Sequence, residues 1–201
     1  MPPLSGKKVI GLTGSMGAGK STVSAILKEH MPVLDLDAVN RRLLEENGKG
    51  TQALSVLEWL PVDHGVIDKP ALSLAMFSDP VKKAQVESIL HPLLWKEMEA
   101  WTQAQTGLCA VEVPLLFETG SQNRFDEVWC VTASEATALD RLWHGRHIDP
   151  QEAKRRLASQ MSPASKIRRS DVVITNDGDL DQLRTQVESV LERRLCQNKS
   201  N

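Results

Sequence analysis

The sequence lacks most of the features that would decide its class outright. Its three cysteines, Cys109, Cys130 and Cys196, stand far apart with no Cys-x-x-Cys pair. That excludes a zinc ribbon or a disulfide framework and leaves reduced thiols in or near a core. No apolar run reaches the roughly 18 residues that span a bilayer, and the opening MPPLSGKKVIGL has no apolar stretch of the leader type. The expected setting is cytoplasmic, with no membrane partner. Charge is nearly balanced, 24 Lys and Arg against 26 Asp and Glu, so no nucleic acid is expected as the main partner. The five histidines show no metal-site spacing; His144 and His147 are three apart, without a third ligand nearby. There is no internal repeat and no low-complexity segment.

What is present suits one domain with an insertion. The chain has 201 residues, 41% of them hydrophobic and 25% charged, enough to bury a core. Five short apolar runs read as buried parallel strands: KVIGLT (8–13), PVLDLD (32–37), LCAVEVPLL (108–116), EVWCVTA (127–133) and DVVITN (171–176). Their alternation with helical patterns predicts an α/β fold with a mostly parallel sheet. Residues 38–107 are too long for a crossover helix and read as an inserted helical region without a strong strand. Leu180, Leu183, Val187, Val190, Leu191 and Leu195 form one apolar stripe of a last helix, and CQNKSN reads as a frayed tail.

The stretch GLTGSMGAGKSTV (11–23) matches Gly14-x-x-x-x-Gly19-Lys20-Ser21, with a strand before it and a helix from Lys20 onward. Gly14, Gly17 and Gly19 let the backbone curl so that the N–H groups of the loop, Ser15, Met16 and Ala18 included, point at an oxyanion, and the helix N-terminus adds unpaired donors. Lys20 suits the β- and γ-phosphates, Ser21 a Mg²⁺ ion, and Thr22 the α-phosphate. A random chain of this length matches about once in 150, so the stretch binds a nucleoside triphosphate. A GTPase would need Asn-Lys-x-Asp after a late strand, but Asn198-Lys199 is followed by Ser200 and Asn201. A motor ATPase would need Asp-Glu ending a strand, whereas Asp126-Glu127 precedes one. A small-molecule kinase fits the size and requires an acceptor site, an orienting carboxylate and arginines over the phosphoryl group.

Asp35 and Asp37 alternate at the end of the second strand run, so both carboxylates are expected on one face, at the end where open α/β sheets bind ligands. One can take a hydroxyl proton while the other holds a metal-bound water; equally, Asp37 can cap the helix beginning AVNRRLLEE. The segment DRLWHGRHIDPQEAKRRLASQ carries Arg141, Arg146, Arg155 and Arg156 around a break at Gly145–Pro150. It reads as a lid with phosphate-facing guanidiniums or as a solvated face paired with Glu135, Asp140 and Glu152. His91, before Pro92, reads as a packed or turn residue.

The order GLTGSMGAGKST, VLDLDAVNR, ILHPLL, VEVPLLFE, RRSDVVITNDG, from about residue 8 to 195, resembles the dephospho-coenzyme A kinases. The resemblance implies a P-loop kinase-like three-layer fold with a five-stranded parallel sheet: one domain, 1–201, with core 1–37 and 108–201, a helical acceptor-binding insertion at about 38–107, and a mobile lid at about 141–165. It implies transfer of the ATP γ-phosphoryl, with Mg²⁺, to the ribose 3′-hydroxyl of dephospho-CoA. Asp37 is then the base, Lys20 and Arg141 act on the phosphoryl group, and Asn176 closes around adenine. Asp35, Arg41, His91, Pro114, Leu115, Leu116 and Glu118 face the acceptor, the last four from a strand end. The chain departs from the family pattern at Ser15, Leu36 and Lys69, and by one residue between Arg141 and Arg146. The runner-up is another small P-loop kinase acting on a nucleoside, nucleotide or polyol; a nucleotide-dependent switch protein is the alternative from outside the kinases. Oligomeric state is open.

Overall fold

The computed structural model describes residues 8–199, with side chains through Arg194. Leu195 of the expected stripe and the Cys196 thiol therefore lie outside the described side chains, and Ser200 and Asn201 outside the described residues. The chain divides into two compact units: residues 1–34 with 105–201, and residues 35–104.

The first unit is built on the apolar runs. Each becomes a strand, shorter or longer by a few residues than the sequence pattern: β1 Lys8–Gly14, β2 Val33–Asp35, β5 Leu108–Glu112, β6 Glu127–Thr132 and β7 Val172–Thr175. They form one parallel sheet in the order β2-β5-β1-β6-β7. β1 is central: Ile10 pairs with Ala110 on one side and Glu127 on the other. Because side chains alternate, Ile10 and Leu12 join Trp129, Val131 and Ile174 on the face covered by α1 (Lys20–Lys28) and α9 (Leu180–Lys199). Val23, Ile26 and Leu27 of α1 and Leu183, Val187, Val190 and Leu191 of α9 are buried there. α9 continues to Lys199, so the expected tail is helical over its first four positions. On the opposite face, a Cβ on Gly11 would lie 2.8 Å from both Leu116 and Phe125, and Cys130, in the register row of Thr13, is buried. Burial pushes the Cys130 thiol up, against an opposing Ser170 hydrogen bond and the Lys166 and Lys20 charges, so it is an inert core thiol. α6 (Glu135–Arg146), α7 (Pro150–Ala158) and α8 (Pro163–Arg168) lie between β6 and β7.

The second unit carries α2 (Leu36–Leu43), α3 (Lys49–Leu54), a two-residue hairpin of β3 (Val62–Asp63) and β4 (Val66–Ile67), α4 (Lys69–Ser78) and α5 (Pro80–Gln103). Leu54, Leu60, Ile67, Leu72, Val86 and Leu90 make its own core. Glu97 of α5 binds Lys49 at 2.9 Å and Arg42 at 3.2 Å, tying α3 and α2 to α5. α5 runs unbroken through Pro92, which corrects the expectation of a turn after His91. Pro92 removes an N–H and costs about 3 kcal/mol in a helix interior, but Leu90 and Met98 on either side are buried and hold the helix together. Among the described residues no helix is long and apolar enough to cross a membrane.

Candidate active site

The glycine-rich stretch forms the turn between β1 and α1. Gly14 is required by close approach: a Cβ there would lie 2.2 Å from the Val131 carbonyl of β6. Gly19 has φ +91, and a Cβ there would lie 2.1 Å from Asn176 Nδ2, so no L side chain fits. Gly19 is also the N-cap of α1 and contributes no side-chain cap, so no side chain of the cap residue occupies the helix N-terminus where an anion can bind. The Lys20 ammonium donates to the carbonyls of Gly14 at 2.8 Å and Ser15 at 3.1 Å. It therefore sits at the β1 end of the loop, where a lysine in this pattern serves the β- and γ-phosphates. Ala18 is buried, its N–H donating to Ser15 O, while Ser21 is exposed on the first turn of α1.

At the other end of the loop the turn is locked by Asn176, just past β7 and 5% exposed. Asn176 Nδ2 donates to Ala18 O at 2.9 Å. Its carbonyl and Oδ1 accept from Arg141 at 2.9 and 3.3 Å. Gly19, Thr22, Arg141, Asn176 and Gly178 line a cavity of about 150 Å³. That lies below the roughly 300–1,000 Å³ of pockets for larger ligands and suits a single ring system. Arg141 thus stands at the α1 end of the loop, beside Thr22, not at the end marked by the Lys20 ammonium. Asp177 fastens the same segment to α6: its carboxylate accepts from Ser134 N at 2.7 Å. The backbone N–H of Ser134 and the Thr137 hydroxyl hold it below the usual aspartate range.

Arg155 and Arg156 both pair with Glu152. Arg168 donates to Ser165, and Arg169 lies over the Phe117 ring at 5.2 Å. A second cavity, of about 310 Å³, lies between Ser15 and Ala18 of the loop, Ala138 of α6 and Lys154 and Leu157 of α7.

The segment after β5 departs from expectation. β5 ends at Glu112, so Pro114, Leu115, Leu116 and Glu118 lie in a turn and not on a strand end; Pro114, with no N–H, cannot continue the ladder. Pro114 O accepts from Thr13 Oγ1 at 3.4 Å, and Leu115 is exposed. Leu116 is fully buried against Gly11 and is a core residue, which removes it from the candidate contact set. Glu118 pairs with the fully buried Lys166 of α8 at 2.9 Å and accepts from Met161 N at 3.0 Å. Burial pushes its carboxyl up, but Lys166 and the backbone N–H groups of Glu118 and Met161 outweigh that and leave it below the ordinary 4.5. Neither Lys166 nor Asp177 stands out in the sequence: both sit among other charges, and only their long-range partners distinguish them. The same holds for Gln160, whose Oε1 accepts from Met16 N at 3.3 Å, and for Glu112, which accepts from the Ser24 hydroxyl.

In the second unit, Asp35 rather than Asp37 is the cap. Asp35 is extended (φ −97, ψ 110) and accepts from Ala38 N at 3.1 Å. Leu36 already opens α2, so the two carboxylates do not share a strand face. Asp37 lies in the first turn, exposed, where a negative charge suits the helix dipole. Arg41, 70% exposed in its side chain, reaches Asp35 at 3.6 Å. His91 is half-buried, tilted against Trp95 with ring centroids 6.2 Å apart. Lys69 opens α4 and is exposed.

A family model described as dephospho-CoA kinase matches residues 8–182. A dephospho-CoA kinase of Symbiobacterium thermophilum is 38% identical over 190 residues, covering 90% of this chain and 79% of that protein. A solved structure from Thermus thermophilus superposes with a TM-score of 0.79 at 31% identity, covering 93% of this chain and 97% of that one. The dephospho-CoA kinase of Campylobacter jejuni superposes with a TM-score of 0.65 at 23% identity, covering 92% and 96%, a likeness of fold.

Proposed function

Because the chain belongs to the dephospho-CoA kinase family, we propose a division of labour among its residues for the transfer of phosphoryl from ATP to dephospho-CoA, the last step of coenzyme A synthesis. The observation that carries it is the locked glycine turn, with Lys20 on the Gly14 and Ser15 carbonyls at one end and Asn176 with Arg141 at the other. The loop amides and Lys20 hold the β- and γ-phosphates. The small cavity by Asn176 and Gly178 takes the adenine, with Arg141 beside the α-phosphate; reaching the transferred group would require it to leave Asn176.

The exposed Ser21 hydroxyl follows Lys20 directly, and Mg²⁺ held by Ser21 Oγ and phosphate oxygens fits that arrangement, since Mg²⁺ binds chiefly through phosphates and waters. When bound, it neutralises charge on the β- and γ-oxygens. On the acceptor side, Asp37 takes the proton of the ribose 3′-hydroxyl, and Asp35 orients the turn on which Asp37 stands through its cap to Ala38. Arg41, with an exposed guanidinium, meets the acceptor's phosphates, and His91 lines the acceptor region. The reaction calls for positioning and charge neutralisation more than covalent chemistry.

The test is acceptor-dependent ADP release from Mg-ATP over a panel of dephospho-CoA, nucleosides, nucleotides and polyols. Turnover with dephospho-CoA alone is the expected result. Turnover with a nucleoside, nucleotide or polyol in its place would overturn it.

A further inference from the structure

The segment between α7 and α8 touches the glycine turn and the turn after β5 at two consecutive residues. Gln160 Oε1 accepts from Met16 N at 3.3 Å. The next residue, Met161, donates its N–H to Glu118 at 3.0 Å. Glu118 is in turn fixed by Lys166, whose side chain is fully buried. A buried ammonium is expensive to desolvate, and a buried pair is weak evidence of stability; what this one does is set geometry. It anchors Glu118 and, through the Met161 amide, the position from which Gln160 reaches the glycine turn.

Met16 directly follows the two carbonyls that hold the Lys20 ammonium. It is therefore at the β- and γ-phosphate end of the turn, away from Gly19 and Thr22 beside Asn176. The orientation of the Met16 peptide bears on the terminal phosphate more than on the nucleoside or the α-phosphate.

We propose that Gln160 is a positioning residue for the terminal phosphate of the donor, holding the Met16 peptide in place and held itself by the Glu118–Lys166 pair through Met161. This rests on the reading of the glycine turn as the ATP site. Gln160 touches no reacting atom; it acts through the Met16 amide. Its consequence is discrimination: losing it weakens ATP, which fills the terminal-phosphate position, more than ADP, which does not. A residue that merely supported the fold would weaken both alike.

The experiment is calorimetric titration of the full-length protein with Mg-ATP and with Mg-ADP, for wild type, Gln160→Ala and Glu118→Ala, alongside thermal melts. Gln160 is half-exposed and outside the core, so its truncation leaves the melt unchanged. Loss of one hydrogen bond gives about a threefold to tenfold weaker ATP affinity, with ADP affinity changed less than about twofold. Glu118→Ala, where it folds, shows the same bias. Equal losses for the two nucleotides, or no loss in Gln160→Ala, overturn the proposal while the ATP-site reading stands. Wild-type protein that binds neither nucleotide overturns both.

Discussion

Truncating Asn176 tests whether the glycine turn owes its shape to a single buried amide. Asn176→Ala removes the Nδ2 bond to Ala18 O at 2.9 Å and the Oδ1 bond from Arg141 at 3.3 Å, at a residue only 5% exposed. The first is a neutral bond worth about 1 kcal/mol net; the second has a charged donor and is worth about 1.5–3 kcal/mol, at the low end for its length. The sum, about 2.5–4 kcal/mol, corresponds to a fall of roughly 5–16 °C in Tm for a chain of this size. The Arg141 bond to the Asn176 carbonyl at 2.9 Å survives the change, so the guanidinium stays near the cavity. A double-mutant cycle with Gly19→Ala sharpens the test. In the wild type the new Cβ would lie 2.1 Å from Asn176 Nδ2. In the Asn176→Ala background that clash is gone and only the left-handed backbone strain, about 1–2 kcal/mol, remains. Gly19→Ala should therefore cost less in the truncated background than in the wild type. Additive costs in the melts, or a Tm within about 1 °C of wild type for Asn176→Ala, would refute the reasoning.

Other perturbations probe separate parts of the molecule. Asp37→Ala should abolish phosphoryl transfer in the ADP-release assay while Mg-ATP affinity stays within about twofold of wild type; wild-type turnover removes Asp37 as the base. Glu118 has its carboxyl below the ordinary 4.5 in the folded protein, so its contribution to stability is present above that value and is lost as pH falls through the lowered one. Denaturant titrations at a series of pH values should show a flatter acid limb for Glu118→Gln than for wild type, and an identical limb would contradict the pairing with Lys166. Pro92→Ala should stabilise the protein by about 1–3 kcal/mol by restoring an interior N–H to α5; chemical denaturation showing a loss would mean that Pro92 packs in a way Ala cannot replace.

The parts of the molecule that were legible in the sequence are those whose cause is local. Val9 to Thr13 and Val172 to Thr175 are strands because apolar residues run together between turn signals, and the glycine turn is visible because a side chain at Gly19 would be strained in its left-handed backbone and meet Asn176. The end of β2 was not legible. An alternating reading carries the strand through Asp37, whereas the chain turns at Asp35, whose carboxylate caps Ala38 N. The two readings differ by about one hydrogen bond, and both residues are aspartates, so spacing cannot choose between them. Lys166 was illegible for a different reason. A lysine in PASKIRRSD looks solvated, and only Glu118, far away in the chain, accounts for its burial.

The arginines show both cases in one segment. Arg155 and Arg156 pair with Glu152 three and four positions away, a local arrangement that spacing on a helix anticipates, and it takes them away from the phosphate role. Arg141 has no carboxylate three or four positions away in its helix, where Thr137, Ala138, His144 and Gly145 stand, and its guanidinium goes to Asn176 after β7. A charge-assisted bond to a half-buried carbonyl is worth about 1.5–3 kcal/mol, and no pair on its own helix competes with it. That bond puts Arg141 beside Gly19 and Thr22 at the α1 end of the glycine turn, while the Lys20 ammonium lies on the Gly14 and Ser15 carbonyls. The two cations stand at opposite ends of the loop, and the proposed orientation of a nucleoside triphosphate along it rests on that arrangement.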